Sequence, residues 1–338
     1  MPNLNVRSKM LALVALVLLL ASCTTPAAPT ATPTPAAAQP VKLAMGFIPN
    51  VQFAPFYMAD SRGYFVDEGL SVTFDYGTES DLMKLLGTGE LQFVVGSGDQ
   101  VVLARSQGLP VVYVAEFYHR YPVCVTALSS KGIRTPQDLE GKTVGIPVLH
   151  GASYVGWKAL AQAEGLNEGA INLQAVGYTQ VANLLEGRID AAVCYTMNEP
   201  VQLRAAGHQV VVMEVSDYAT LISNGIITNE QTIQENPALV TALVRAFLRG
   251  LRDTLDDPDA AFQTCLKYVP EAGGDNETRQ RAVLDTSIEL WKTDRLGYSD
   301  PQAWEAANTF MAQVGLASQK PATESLFTND FVERAAVR

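Results

Sequence analysis

The chain has 338 residues, 48% of them hydrophobic, and a formal net charge of -11 at neutral pH. That length supports two globular domains, and an acidic chain with no cluster of Lys or Arg is a poor candidate for binding nucleic acid. The four cysteines (Cys23, Cys124, Cys194, Cys265) stand far apart with no CxxC pair, and the only histidines are His119, His150 and His208, so neither a metal site nor a redox centre is expected.

Arg7 and Lys9 precede an unbroken apolar run from Met10 to Ala21, too short to span a bilayer comfortably and suited to a signal-peptide core. It ends in Leu20-Ala21-Ser22-Cys23. Small residues before a cysteine resemble the lipobox of bacterial lipoproteins, in which the cysteine is diacylated and becomes the new N-terminus. Thr24 to Pro40 contains only Thr, Pro, Ala and one Gln, a composition that cannot bury a core and reads as an extended tether. Lipid on Cys23 would hold the folded body just outside a membrane, provided that more than one acyl chain is attached.

Val41 to Phe47 reads as the first strand, broken by Pro49 and Asn50, with a helix following to about Ala59. Gly69 to Phe74 alternates at period two as a second strand, and Thr78 or Ser80 can cap a helix from Asp81 to Leu86. Leu91 to Val95 is a buried strand running into Gly96-Ser97-Gly98-Asp99-Gln100, where Ser97 is placed to cap a helix to Gln107, and Val111 to Ala115 is a further strand. This alternation predicts a parallel, doubly wound α/β half. Tyr121 to Leu128 is expected to cross into a second half. There Thr135 to Leu139 forms a capped turn and strands run over Thr143 to Ile146, Ile171 to Ala175, Ala191 to Tyr195 and Val210 to Val215. Helices separate them over Ser153 to Ala163, Gln180 to Leu185 and Pro200 to Ala206, and Leu221 to Thr228 crosses back. The remainder is helical in pattern: Ala238 to Leu255, Asp259 to Tyr268, Glu277 to Leu290 and Pro301 to Val314, with Trp291 and Trp304 read as packing residues. The expected organisation is signal peptide 1–22, lipidated cysteine and tether 23–40, first lobe 41–122, second lobe 123–222, and 223–338 returning to the first lobe with its helices packed there.

The two halves echo each other. Ile48-Pro49 and Ile146-Pro147 lie 98 positions apart, and Gly89-Glu90-Leu91 matches Gly187-Arg188-Ile189 at the same offset. In open parallel sheets, ligands bind beyond the carboxyl ends of strands, where helix N-termini expose unpaired N–H groups. Four such turns could face a shared cleft: Pro49 to Phe56, Gly96 to Gln100, His150 to Tyr154 and Tyr195 to Pro200. The first two offer Asn50, Gln52, Phe53, Phe56, Ser97 and Gln100 as ligand contacts; the other two offer Ser153, Tyr154, Tyr195, Asn198 and Glu199. Tyr118 and Asn224, beside the crossings, complete the expected lining. Aromatic rings, amides, hydroxyls and a carboxylate suit a flat, uncharged or weakly polar heterocycle, stacked on its faces and read at its edges. Plainer roles compete for the same residues: Ser97 as a helix cap, Phe53 and Phe56 as core, Glu199 as an acidic residue at a helix start. No Arg or Lys lies in these turns, and Gly96-Ser97-Gly98 is not a full phosphate-binding motif.

From about residue 41 to 320 the chain resembles the NMT1/THI5-like family of ABC-transporter substrate-binding proteins, which includes thiamine-precursor and alkylsulfonate binders. The resemblance rests on Pro49-Asn50, Tyr64-Phe65, Glu68-Gly69-Leu70, Gly141 to Gly145, Leu184 to Ala191 and Asn198-Glu199-Pro200. It implies a periplasmic-binding-protein-like α/β fold of two lobes joined by two crossing strands. It also implies no cofactor, a small-molecule ligand, an ABC permease and ATPase as partners, and a monomer lipid-anchored on the extracytoplasmic face of the cell membrane. Gly46 to Tyr57 is similar to a branch assigned to riboflavin uptake; thiamine-pyrimidine binders usually carry Trp where this chain has Ile48. Riboflavin is therefore the expected ligand, with a thiamine pyrimidine precursor such as formylaminopyrimidine, or another small heterocycle, as the alternative. The pyrimidine-synthesising enzymes of the superfamily are associated with a cysteine-rich segment that this chain lacks, so an enzyme is the lesser reading, beside a sensor or adhesion module.

Overall fold

The computed structural model describes residues 38–337, so the signal-peptide and Cys23 expectations lie outside it. The first half runs through β1 (Gln39–Met45), α1 (Ala54–Ser61), α2 (Tyr64–Asp67), β2 (Leu70–Tyr76), α3 (Glu79–Gly87), β3 (Phe93–Ser97), α4 (Gly98–Ser106) and β4 (Val111–Glu116). The second half holds β5 (Val123–Leu128), β6 (Thr143–Ile146), α5 (Gly151–Ala163), β7 (Asn172–Ala175), α6 (Gln180–Leu185), β8 (Ala191–Tyr195), α7 (Glu199–Ala205) and β9 (Val210–Glu214). The chain returns through β10 (Asn224–Asn229) to α8 (Glu230–Glu235), α9 (Pro237–Asp256), α10 (Pro258–Cys265), α11 (Glu277–Trp291), α12 (Pro301–Gln313) and α13 (Asp330–Ala335).

Two five-stranded sheets form, in the orders β2-β1-β3-β10-β4 and β7-β6-β8-β5-β9. The orders are the same once the crossing strands are exchanged: β10 occupies in the first sheet the place that β5 occupies in the second. The repeat seen in the sequence is thus a repeat of topology. Gly89 and Gly187, at equivalent turns ahead of β3 and β8, both take left-handed φ values (82° and 69°) that a Cβ would disfavour.

Neither sheet is purely parallel, contrary to the expectation for each half. Asn224 pairs with Ser97 and Val123 pairs with Tyr195, so each crossing chain enters the new sheet at the carboxyl ends of its parallel strands and runs antiparallel to both neighbours. A chain arriving from the other half can only enter there, because that edge faces the other half. The two crossings also bond to each other: the Asn224 carbonyl accepts the N–H groups of Phe117 and Tyr118 at 2.9 and 3.0 Å.

α9 is the main buttress of the first half. Asn236 caps it by accepting the Leu239 N–H at 3.1 Å, Pro237 opens it, and Leu239, Val240, Leu243, Val244, Phe247 and Leu251 bury one face at helical spacing. Its Gly250 crosses α1 so closely that a Cβ there would lie 2.2 Å from the Pro55 carbonyl oxygen. The C-terminal helices do not serve the first half alone. Trp291 of α11 shares an apolar cluster with Met197 and Val201 beside and within α7, so this helix also braces the second half. Trp291 and Trp304 are both buried packing residues, stacked on Phe117 and Phe327 respectively. Cys124 and Cys194 face each other across β5 and β8 as free buried thiols with sulfurs 3.6 Å apart, and Cys265 is likewise free and buried.

Candidate functional site

The carboxyl ends of β1, β2 and β3 face those of β6, β7 and β8 across a cavity of about 330 Å³, at the small end of the range for ligand pockets. Eight of the expected contacts line it. Gln52, Phe53, Tyr118 and Asn224 approach from the first half and the crossings; Ser153, Tyr195, Asn198 and Glu199 approach from the second.

Five do not line it. The Asn50 carboxamide accepts the Gln52 N–H at 3.0 Å and caps the turn that positions Gln52 and Phe53. Phe56, three residues beyond Phe53, is fully buried, stacked on Phe247 at 4.6 Å and edge-on to Phe117 at 5.2 Å, because α9 covers that side of α1. Ser97 is fully buried beneath Glu79, with its hydroxyl 2.7 Å from the Glu79 carboxyl; its backbone N–H also donates to Glu79. Gln100 is buried and donates to Asp99 at 3.2 Å. Tyr154 follows Ser153 on α5 and turns about 100° away from the cavity into an apolar cluster that draws on both halves.

Two further turns contribute residues that the sequence reading passed over. They are Tyr76 to Ser80 after β2 and Tyr178 with Gln180 after β7. They too are strand-to-helix turns of the duplicated unit: Gly77-Thr78-Glu79 in one half corresponds to Gly177-Tyr178-Thr179-Gln180 in the other. The repeat was the signal that could have located them. Tyr178 meets Phe47 edge-to-face at 5.8 Å across the mouth of the cleft, and Phe53 lies against Tyr76 at 6.2 Å.

The polar groups divide into those already paired and those without a partner. Gln180 Oε1 in the second half and Asn224 Oδ1 on the return crossing are buried acceptors with no hydrogen-bond partner among the described residues. A buried acceptor left unpaired costs about 1–3 kcal/mol, which a donor on a bound ligand would recover. Tyr118 Oη approaches Gln52 Oε1 at 3.4 Å, and the Tyr195 N–H donates to Glu199 at 3.2 Å.

Behind the cavity wall runs a chain of contacts joining the two halves. Ser97 Oγ is 2.7 Å from both Glu79 and Asp99, and Tyr121 Oη is 2.7 Å from Asp99 and 2.8 Å from the Ala152 carbonyl at the start of α5. Two hydroxyl protons cannot serve four contacts well, so the chain favours a proton on one of its carboxyls. Burial and the nearby Asp99 charge push Glu79 up to about 7, and burial also raises Asp99. On the opposite wall burial pushes Glu199 up to about 7.

The family model described as NMT1/THI5 like matches residues 50–261, more than half of the chain. The chain is 41% identical over 334 residues to the riboflavin-binding protein RibY of Chloroflexus aurantiacus, covering 94% of this chain and 95% of that one. It is 28% identical over 331 residues to the formylaminopyrimidine-binding protein of Halalkalibacterium halodurans, covering 95% and 98%. Among solved structures, the periplasmic aliphatic sulphonate binding protein SsuA of Escherichia coli superposes with a TM-score of 0.71 at 12% identity, covering 86% of this chain and 92% of that one. With its topology repeated in two lobes about one cleft, and a family match over most of the folded body, the chain belongs to the NMT1/THI5-like family and has the periplasmic-binding-protein fold.

Proposed function

We propose that this protein is the substrate-binding component of an ABC importer, that it captures riboflavin between its two lobes, and that it delivers the vitamin to a membrane permease. A lipid on Cys23 would keep it at the extracytoplasmic face of the membrane. The protein binds its ligand and does not transform it. The observation that carries this reading is the cleft itself: aromatic rings on both walls (Phe53, Tyr76, Tyr178, Tyr195) with an unpaired buried acceptor on each side (Gln180, Asn224). Rings supply faces for a planar heterocycle, and the two acceptors can take its one ring N–H and a hydroxyl of its side chain. The relatedness to the riboflavin-binding RibY supports the choice of vitamin. Ligand contacts from both lobes would favour the closed arrangement over an open one.

Titration of the purified protein should quench riboflavin fluorescence at submicromolar concentration; absence of quenching, with tight binding of formylaminopyrimidine, would replace riboflavin by the pyrimidine. Replacing Gln180 by the apolar, similarly long Met separates binding from folding. The apo protein should melt at the same temperature or slightly higher, since an orphaned acceptor is gone, while riboflavin affinity falls about tenfold. A lowered apo melting temperature would make Gln180 structural. Intact-mass analysis of the membrane-extracted protein tests the anchor, which requires a diacylated Cys23 at the mature N-terminus.

A further inference from the structure

Helix N-termini around a cleft are natural anion sites, because their N–H groups and dipoles point at the ligand. Here the protein's own carboxyls occupy several of them: Glu79 opens α3, Asp99 is the second residue of α4, and Glu199 opens α7. Glu79 and Glu199 line the cavity from opposite lobes. Among the described residues none of the cavity's lining is Lys or Arg. The imidazole of His150 is its one basic side chain. A phosphate carried into this cavity would lose water without gaining a cation, and would meet carboxyls from both sides.

We propose that the cleft discriminates by charge, admitting the uncharged vitamin and rejecting its phosphate ester: riboflavin binds and riboflavin 5′-phosphate is excluded, with Glu79 and Glu199 as the specificity-determining residues. This rests on the riboflavin reading above and adds to it the chemical form of the ligand. It implies that phosphorylated flavins must first be hydrolysed by a phosphatase before this protein can take them up. At an effective dielectric of about 20, two like unit charges about 8 Å apart weaken binding roughly thirtyfold, so a phosphate facing both walls should bind at least about a hundredfold more weakly.

The experiment titrates the purified protein with riboflavin and with riboflavin 5′-phosphate at about pH 8.5 and low salt, where both cleft carboxyls are ionised, then repeats both with Glu79→Gln and Glu199→Gln, each checked for folding by apo melting temperature. A ratio of about a hundredfold or more in the parent, narrowing about tenfold in either isosteric variant through tighter phosphate binding, supports the proposal. If riboflavin and its phosphate bind within about threefold of each other, charge exclusion is wrong while the vitamin reading stands. A large ratio that both variants leave unchanged makes the exclusion steric and removes these carboxyls from it. If neither flavin binds, the vitamin reading fails, and the same comparison with 4-amino-5-hydroxymethyl-2-methylpyrimidine and its phosphate decides the charge question: exclusion of the phosphate upholds it and equal binding overturns it.

Discussion

Gly250→Val should lower the melting temperature of the apo protein by about 5–12 °C. In α9 this glycine lies where a Cβ would sit 2.2 Å from the Pro55 carbonyl oxygen and 2.8 Å from the Ala59 nitrogen, both backbone atoms of α1. Backbone cannot rotate out of the way, so the two helices must separate. Overpacking of this kind costs about 1–3 kcal/mol and occasionally more. A loss of about 2–4 kcal/mol corresponds to the stated shift at roughly 2–4 °C per kcal/mol. Gly250→Ala is the sharper control, because helix propensity alone would add about 1 kcal/mol; a melting temperature that rises in this variant would refute the close crossing. The effect should extend to binding. The Val51–Phe53 turn that carries Gln52 and Phe53 into the cleft leads directly into α1, so moving α1 moves part of the site.

Apo stability should fall as pH rises from about 5 to 8, by several degrees in melting temperature. Burial, with the Asp99 charge adding to it, pushes Glu79 up to about 7, and burial alone does the same for Glu199. In the unfolded chain a glutamate titrates near 4.3. Between those values the native state holds protons that the unfolded state has lost, so stability declines through the window and levels off above about 7. His119 acts in the same direction. The hydrogen bond that its ring N–H donates to Glu116 raises it, and the stability of that pair is lost as pH climbs through the raised value. On the acid side, Asp190 is lowered by Lys131 and Asp138 by the backbone N–H groups of Arg134 and Thr135, so their contribution is lost as pH falls below about 4. The optimum should therefore lie near pH 5 rather than 7. Between about 4.3 and about 7 each cleft glutamate could change stability by at most about 3.7 kcal/mol, and partial solvent access reduces that to about 1–2. Glu199→Gln keeps the shape and removes the charge, so it should melt like the parent at pH 5 and above it at pH 8. A parent whose melting temperature is flat across this range would contradict the raised values.

Which expected contacts line the cavity and which lie behind it follows from how side chains leave a helix or strand. Phe53 and Phe56 lie three residues apart at one turn and are equally apolar, and only the position of α9 sends Phe56 into the core and leaves Phe53 at the cleft. Ser97 stands at the carboxyl end of β3, where the rule for parallel sheets places ligand contacts, but the carboxyl of Glu79 covers it. That cover comes from the turn after β2, a neighbour in space and not in sequence. Gln180 was legible only as the start of a helix. Its burial, with an acceptor left unpaired, is visible only in three dimensions.

Local pattern and internal repetition were enough to determine most of the elements, the duplication and the two crossings, because each of these depends on periodicity, turn chemistry and their recurrence along the chain. The antiparallel entry of β5 and β10, the shared service of α11 to both lobes, and the division of the turn residues into lining and support were decided only in three dimensions. They depend on which surface each segment meets, and those surfaces are assembled from parts of the chain that are distant in sequence, roughly 70 residues apart for β5 on β8 and roughly 130 for β10 on β3.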